Sequence, residues 1–227
     1  MIRYILLIFN IFIFTPLFSI LIIIVGFFDK RKRITPKLAK LWARLILKFS
    51  FVNYYVDGLD NVNHINKYVV ISNHQSFIDI LIAFASLPIS LSFFTKKELF
   101  YIPVFGWALK ASGMIPVNRY DKKKSKDSVS SALKKINSTN LSILNYPEGT
   151  RTNFDDLGTF KKGGFILAIS SKIPILPITL IYDKKNITNK IRLVVDNAIE
   201  TVNYDIEDRD MLIDKTKNII KRALKIK

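Results

Sequence analysis

Between Tyr4 and Phe28 the chain carries no charged side chain and consists mostly of Ile, Leu and Phe. As a helix this run would reach roughly 37 Å at about 1.5 Å per residue. A bilayer's hydrocarbon core is about 30 Å thick. The apolar part of a cleaved leader is usually about 7–15 residues and ends in small residues. This run is longer and closes on Gly26-Phe27-Phe28, so a retained membrane anchor is expected. Pro16 lies mid-run and is expected to kink the helix or turn it back. Arg3 is the one charge ahead of the run, and Lys30-Arg31-Lys32-Arg33 follows it. By the positive-inside tendency, everything after residue 29 is expected on the cytoplasmic side of the cytoplasmic (inner) membrane.

Thr35-Pro36 then predicts a helix start, with Thr35 as N-cap and proline in the first helical position. Lys37, Lys40, Arg44 and Lys48 recur on one face, and Leu38, Leu41, Trp42, Leu45 and Phe49 fall on the other. A basic amphipathic helix of this kind suits an anionic membrane surface; packing of its apolar face on the rest of the chain is the competing reading. Residues 1–52 are therefore expected to form an anchor plus a surface helix, and 53–227 a separate domain. Segregation explains how a chain with net charge +17 still has a mean hydropathy of +0.22. Charge of that size speaks to partners rather than to fold, leaving nucleic acid, anionic lipid and acidic proteins as candidates. The chain has no cysteine, which excludes disulfides, thiolate nucleophiles and cysteine metal sites.

After Asn53, short apolar runs alternate with helical patterns. Strands are expected at Tyr54–Val56, Tyr68–Ile71, Leu91–Thr95, Met114–Val117, Leu141–Tyr146, Ile175–Tyr182 and Ile191–Val195. Helices are expected at Asp79–Ser86, Ser125–Ile136, Phe165–Ser171 and from about Asp205 onward. The last opens on Glu207, Asp208 and Asp210 and closes on Lys221, Arg222, Lys225 and Lys227, a polarity that suits the helix dipole. Together these elements describe one α/β domain behind a helical anchor.

Of the two histidines, His64 lies in a polar stretch, whereas His74 follows a predicted strand directly in Ser72-Asn73-His74-Gln75-Ser76-Phe77-Ile78-Asp79. Strand-to-helix turns of this kind gather functional groups in α/β sheets. On a regular helix, His74 and Asp79 would point some 140° apart at about 100° per residue. They can meet only if His74 precedes the helix and Asp79 lies in its opening turns. Imidazole, with an ordinary pKa of about 6.5, could then take a proton from an alcohol, while the carboxylate fixed its tautomer. A second cluster, Tyr146-Pro147-Glu148-Gly149-Thr150-Arg151, follows another buried run. Glycine admits an anion close to backbone, threonine offers a hydroxyl, and arginine makes bidentate phosphate contacts; a turn with Glu148 and Arg151 paired is the plainer alternative. Lys96, Lys97 and Arg119 end strands and could join the site or stand as surface charges. Phe160-Lys161-Lys162-Gly163-Gly164 reads as an anion site or a glycine-rich turn.

In combination these residues resemble the glycerolipid acyltransferases, especially the 1-acylglycerol-3-phosphate acyltransferases. Asn73-His74 with Asp79 is similar to their Asn-His-x4-Asp signature, and Gly113 to Arg119 to their second block. Pro147 to Arg151 resembles the third, with Tyr146 where phenylalanine is usual, and Ile173 to Ile178 the fourth. The resemblance spans about residues 54–182. It implies a single mixed-sheet domain flanked by helices, with His74 as general base and Asp79 as its orienting partner. It implies that Glu148, Gly149, Thr150 and Arg151 hold a lysophospholipid acceptor, with Lys96 and Arg151 near its phosphate and Arg119 in support. The donor would be a thioester of acyl carrier protein or of CoA, with no metal and no bound cofactor. No nucleic-acid partner is expected. Rival readings are a nucleic-acid-binding protein, a membrane-bound binding protein without catalysis, an acyltransferase for glycerol-3-phosphate or another lysolipid, and a serine triad built on Ser72 or Ser76.

Overall fold

The computed structural model describes residues 2–117, 122–153, 157–183 and 185–225, with the side chains of 122–127 left out. Among the described residues, seven α-helices and seven strands follow one another as α1 Ile2–Phe28, α2 Thr35–Phe49, β1 Tyr54–Asp57, β2 Val69–Ser72, α3 Ile78–Ser86, β3 Leu91–Lys96, α4 Phe105–Ala111, β4 Ile115–Val117, α5 Lys122–Ser138, β5 Ser142–Asn145, α6 Gly163–Ser171, β6 Ile175–Ile181, β7 Ile191–Val195 and α7 Arg209–Lys225. The strands form one seven-stranded sheet in the order β1-β7-β6-β2-β5-β3-β4. Every pairing is parallel except β6 with β7. The fold is thus the expected mixed α/β sheet flanked by helices.

Strand alternation divides the core. Val70, Leu144, Leu176, Ile178 and Leu180 face a layer built from α1, α2, α3 and α4. Val69, Ile71, Ile143, Ile175 and Ile181 face the opposite layer of α5, α6 and α7. Strands β2 and β6 are buried along their whole length, which is why they appear in sequence as nearly continuous apolar runs. Sequence reasoning did not anticipate α4. It is short, opens next to Val104 at φ 63° and contains Gly106, so no helical period develops. Helix α7 begins at Arg209, after a 3-10 turn at Ile206–Asp208 whose capping box joins Asp205 and Asp208.

Helices α1 and α2 make an antiparallel hairpin. Asn10 donates to Ser50 Oγ at 3.1 Å, Phe14 stacks on Phe49, and Trp42 Nε1 donates to Thr15 at 3.2 Å. Helix α1 runs unbroken across Pro16. Both of its ends also touch the α/β domain. Arg3 bonds Asn189 and Tyr4 meets the edge of Phe77, while Gly26 lies so close to Ala111 that an added Cβ would sit 2.8 Å from that residue's methyl. The helix is long and apolar enough to cross a membrane by length and composition, and both its ends are fastened to the same domain. Its outer face stays apolar and exposed, with Phe9, Phe12, Leu17, Ile24, Phe27 and Phe28 uncovered.

The cap of α2 also differs from expectation. Thr35 is the first helical residue, with Ile34 in the cap position. The buried Asp29 carboxylate performs the capping, accepting from the backbone N–H groups of Arg33, Ile34 and Thr35 and from the Thr35 hydroxyl. Burial raises the pKa of this carboxyl, but the four donors outweigh it and hold it below its ordinary 3.8. A depressed carboxyl contributes stability that is complete above the unfolded pKa and lost as pH falls through the folded one. Asp29→Ala is therefore expected to destabilise the hairpin by about 1–2 kcal/mol at neutral pH. The difference from wild type should shrink below about pH 4, as measured by thermal unfolding in detergent.

The basic face of α2 is partly committed within the molecule. Lys40 Nζ donates to the Leu87 carbonyl at 2.7 Å and Arg44 Nε to that of Ala85 at 3.0 Å, so both cap the C-terminus of α3. Burial lowers the Lys40 pKa, aided by the Arg44 charge. Lys37 and Lys48 remain exposed.

Candidate active site

Strands β2, β3, β4, β5 and β6 run parallel, so the loops after them open on one edge of the sheet, where α/β proteins place ligands. From β2 the chain makes a short turn before α3 begins at Ile78. His74 thus precedes the helix and Asp79 lies in its first turn, as the spacing demanded. His74 Nδ1 stands 2.7 Å from Asp79 Oδ2. Asp79 is fully buried and His74 is 8% exposed. The same carboxylate oxygen accepts the backbone N–H groups of Gln75 at 2.8 Å and Ser76 at 2.9 Å, and the other oxygen accepts from the Tyr182 hydroxyl. Backbone donors and the positive end of α3 compensate the buried charge. With Nδ1–H directed at Asp79, Nε2 is left as the basic nitrogen of His74.

The loop after β5 fixes His74 from its main chain. Glu148 Oε1 accepts from His74 N at 2.8 Å, and Thr152 N donates to the His74 carbonyl at 2.8 Å. Glu148 Oε2 accepts from Gly158 N at 2.8 Å. Glu148 had been expected to hold the acceptor; instead it is 6% exposed and has both oxygens on backbone donors. The Tyr146 ring stacks on the imidazole, centroids 4.2 Å apart, so an aromatic residue here fixes the plane of His74. The Tyr146 hydroxyl is buried without a hydrogen-bond partner. Burial and then the Asp79 charge push its pKa well above the ordinary value. Gly149 takes φ 75°, a conformation that side chains with a Cβ rarely adopt.

His74 lines two cavities. One, of about 500 Å3, is walled by Ile80, Phe93, Leu99 and Tyr146 and bordered by Lys96, Thr150 and Arg151. Lys96, Thr150 and Arg151 are exposed, and Arg151 makes no ion pair with Glu148, the alternative for that turn. Arg119 lies outside the described residues. The other cavity, of about 130 Å3, is lined by Asn145, Lys161, Gly149 and Gly163. The sequence raised Lys161 and Gly163 as an anion site but could not join them to His74. Ser72 Oγ donates to the neighbouring Asn73 carbonyl at 3.0 Å and is fully buried, which leaves it no access to a reacting carbonyl.

Two further residues take roles that the sequence left unassigned. Asn73 brackets Leu180, accepting from its N–H and donating to its carbonyl, both at 2.8 Å. That ties the turn after β2 to the end of β6. Tyr182 reaches Asp79 from 103 positions away. The general signal for both was a polar group just past the end of a wholly buried strand.

A buried carboxylate–imidazole pair at the mouth of an amphiphilic, cation-rimmed cavity is an arrangement able to take a proton from a bound hydroxyl. Comparison with known proteins narrows that chemistry. Residues 53–181 match the Acyltransferase family model, and the chain belongs to that family. A chloroplastic 1-acyl-sn-glycerol-3-phosphate acyltransferase of Brassica napus is 37% identical over 155 residues, 67% of this chain and 44% of its own length. Another from Arabidopsis thaliana is 35% identical over 170 residues, 72% of this chain and 47% of its own. The chain thus spans about half the length of these curated relatives. The crystal structure of the 1-acyl-sn-glycerophosphate acyltransferase PlsC from Thermotoga maritima shares the fold, with a TM-score of 0.78 at 19% identity over 98% of this chain and 95% of that one.

Proposed function

We propose that the chain transfers a fatty acyl group from a thioester of acyl carrier protein or CoA to the free sn-2 hydroxyl of 1-acylglycerol-3-phosphate, giving phosphatidic acid. The observation that carries this reading is the His74–Asp79 pair opening onto a cavity with an apolar wall and a cationic rim. In this reading His74 Nε2 takes the hydroxyl proton as the alkoxide attacks the thioester carbonyl. Collapse of the tetrahedral intermediate expels the thiolate, which takes the proton back from the imidazolium. Asp79 stabilises the imidazolium in between. Lys96 and Arg151, with Thr150 beside them, receive the acceptor's phosphate, and Arg119 is proposed to support them. Gly149 allows the loop its close turn, while Glu148 serves by holding the His74 backbone. Both reactants bring their own functional groups, so the chemistry calls for no metal or cofactor.

The apolar wall favours an acceptor that already carries a chain. Ile80 and Phe93 line the His74 cavity and also a neighbouring one bounded by Phe18, Ile22, Ala39 and Trp42 of the hairpin. Glycerol-3-phosphate would leave that continuation unused. The exposed apolar face of α1 supports insertion into one leaflet of the cytoplasmic membrane from the cytoplasmic side, with Lys37 and Lys48 near anionic headgroups. The net charge of +17 also favours an acidic carrier protein as donor.

Purified protein assayed against 1-acylglycerol-3-phosphate, glycerol-3-phosphate and a neutral lysolipid, with both thioester donors, tests the reading directly. Selective turnover of the first is expected. Arg151→Ala should raise the acceptor KM by about 10- to 100-fold with kcat little changed, because the phosphate contact persists from ground state to transition state. An unchanged acceptor KM would remove Arg151 from the phosphate site.

A further inference from the structure

We propose that Tyr182 is a positioning residue of the dyad, its phenol holding Asp79 by the carboxylate oxygen that His74 does not use and thereby setting the basicity of His74. The proposal rests on the acyl-transfer reading of that dyad. Tyr182 follows β6 directly and is 5% exposed. Its hydroxyl donates to Asp79 Oδ1, while Oδ2 takes His74 Nδ1 and the N–H groups of Gln75 and Ser76. The two oxygens therefore have separate duties. The Asn73 bracket on Leu180 sets the position of Tyr182, because residues two apart on an extended chain lie on the same side.

Burial, and then the Asp79 charge, push the Tyr182 phenol well above its ordinary pKa. It is therefore a donor, and not an anion, throughout the working range. A phenol dipole with its positive end on Oδ1 draws charge away from Oδ2 and weakens the pull of Asp79 on the imidazolium. It also prevents the carboxylate from rotating away from Nδ1. Losing it should make His74 more basic and less well aimed. Other polar or charged groups around His74 are the Tyr146 ring stacked on it, Glu148 on its backbone N–H, and Lys96 and Arg151 on the rim of its cavity. The Tyr182 hydroxyl itself is also met by the Ser76 side chain and lies within electrostatic reach of Tyr146. Ordinary burial of a tyrosine explains a hydrogen bond somewhere, but not one made to the carboxylate of the dyad.

The test compares pH profiles of kcat/KM for the full chain in detergent micelles, using 1-acylglycerol-3-phosphate and an acyl thioester. Tyr182→Phe should lower kcat on the order of tenfold and leave the acceptor KM within about twofold. The acid limb should move to higher pH by about half a unit. In an Asp79→Asn background the same change should cost nothing further, since Tyr182 acts through that carboxylate. Singly fluorinated tyrosine placed at position 182 keeps ring and hydroxyl, so the fold is retained, and donates more strongly. It should move the acid limb the opposite way, which keeps the proposal open to refutation even if the phenylalanine variant does not fold. An acid limb that stays in place in either folded protein overturns the inference, as does an equal loss in the Asp79→Asn background. His74→Ala with near-normal turnover would instead remove the dyad reading itself. An inactive His74→Ala with unmoved Tyr182 variants would remove this inference alone.

Discussion

His74→Ala is expected to lower kcat by about 10²–10⁴-fold, the contribution of a positioned general base, while the protein stays folded. The two halves of that result have separate causes. The main-chain bonds that seat residue 74, from its N–H to Glu148 and from Thr152 N to its carbonyl, do not involve the imidazole. Asp79 keeps Gln75 N, Ser76 N and the Tyr182 hydroxyl as donors, so its buried charge is not orphaned when the ring is removed. Acceptor binding should survive too, because Lys96 and Arg151 stand on the cavity rim, apart from the ring. The measurement is turnover of purified variant beside its thermal unfolding and acceptor binding. Near-wild-type turnover would sink the mechanism, whereas loss of the folded state would show that His74 is needed for architecture.

Removal of residues 1–52 is expected to abolish the folded domain instead of releasing it from the membrane. Leu7, Ile46 and Leu47 are at most 1% exposed and belong to the same core cluster as Ile78, Ile82 and Leu87 of α3 and the turn after it. Three side chains of that size contribute roughly 5–9 kcal/mol by burial, against a typical domain stability of about 5–15 kcal/mol. The deletion also strips Lys40 and Arg44 from the carbonyls of Leu87 and Ala85, leaving the end of α3, the helix that carries Asp79, uncapped. Purified 53–227 should therefore aggregate or show no cooperative unfolding. A soluble, cooperatively folding 53–227 would overturn this prediction and support the separable anchor expected from the sequence.

That contrast shows where sequence stops. The apolar run, the strand order along the chain and the turn after β2 were legible because each is a local pattern of hydrophobic period and punctuation. So was the demand that His74 precede the helix carrying Asp79, since helical geometry alone forbids any other way for them to meet. Helix α4 was not legible, being too short to show a period, and neither was the true cap of α2, where Asp29 reaches forward to serve a helix start that Thr35-Pro36 appeared to mark. Glu148 was placed with the substrate by the family resemblance of its loop. Its commitment to His74 N and Gly158 N is invisible until the loop closes.

What the sequence by itself determined was the set of local elements, an apolar N-terminal helix and a short list of residues able to do acid–base chemistry. The tertiary structure decided the rest. It laid α1 along the domain by contacts at both ends. It brought the turns after β2, β5 and β6 to one sheet edge, and so set Tyr146, Thr152 and Tyr182 around a dyad to which none of them is adjacent in sequence. The physical reason is range. Periodicity and turn chemistry act over a few residues and can place His74, Gln75 and Ser76 on Asp79, whereas Tyr182, 103 positions away, is brought to that carboxylate only by the packing of the strands.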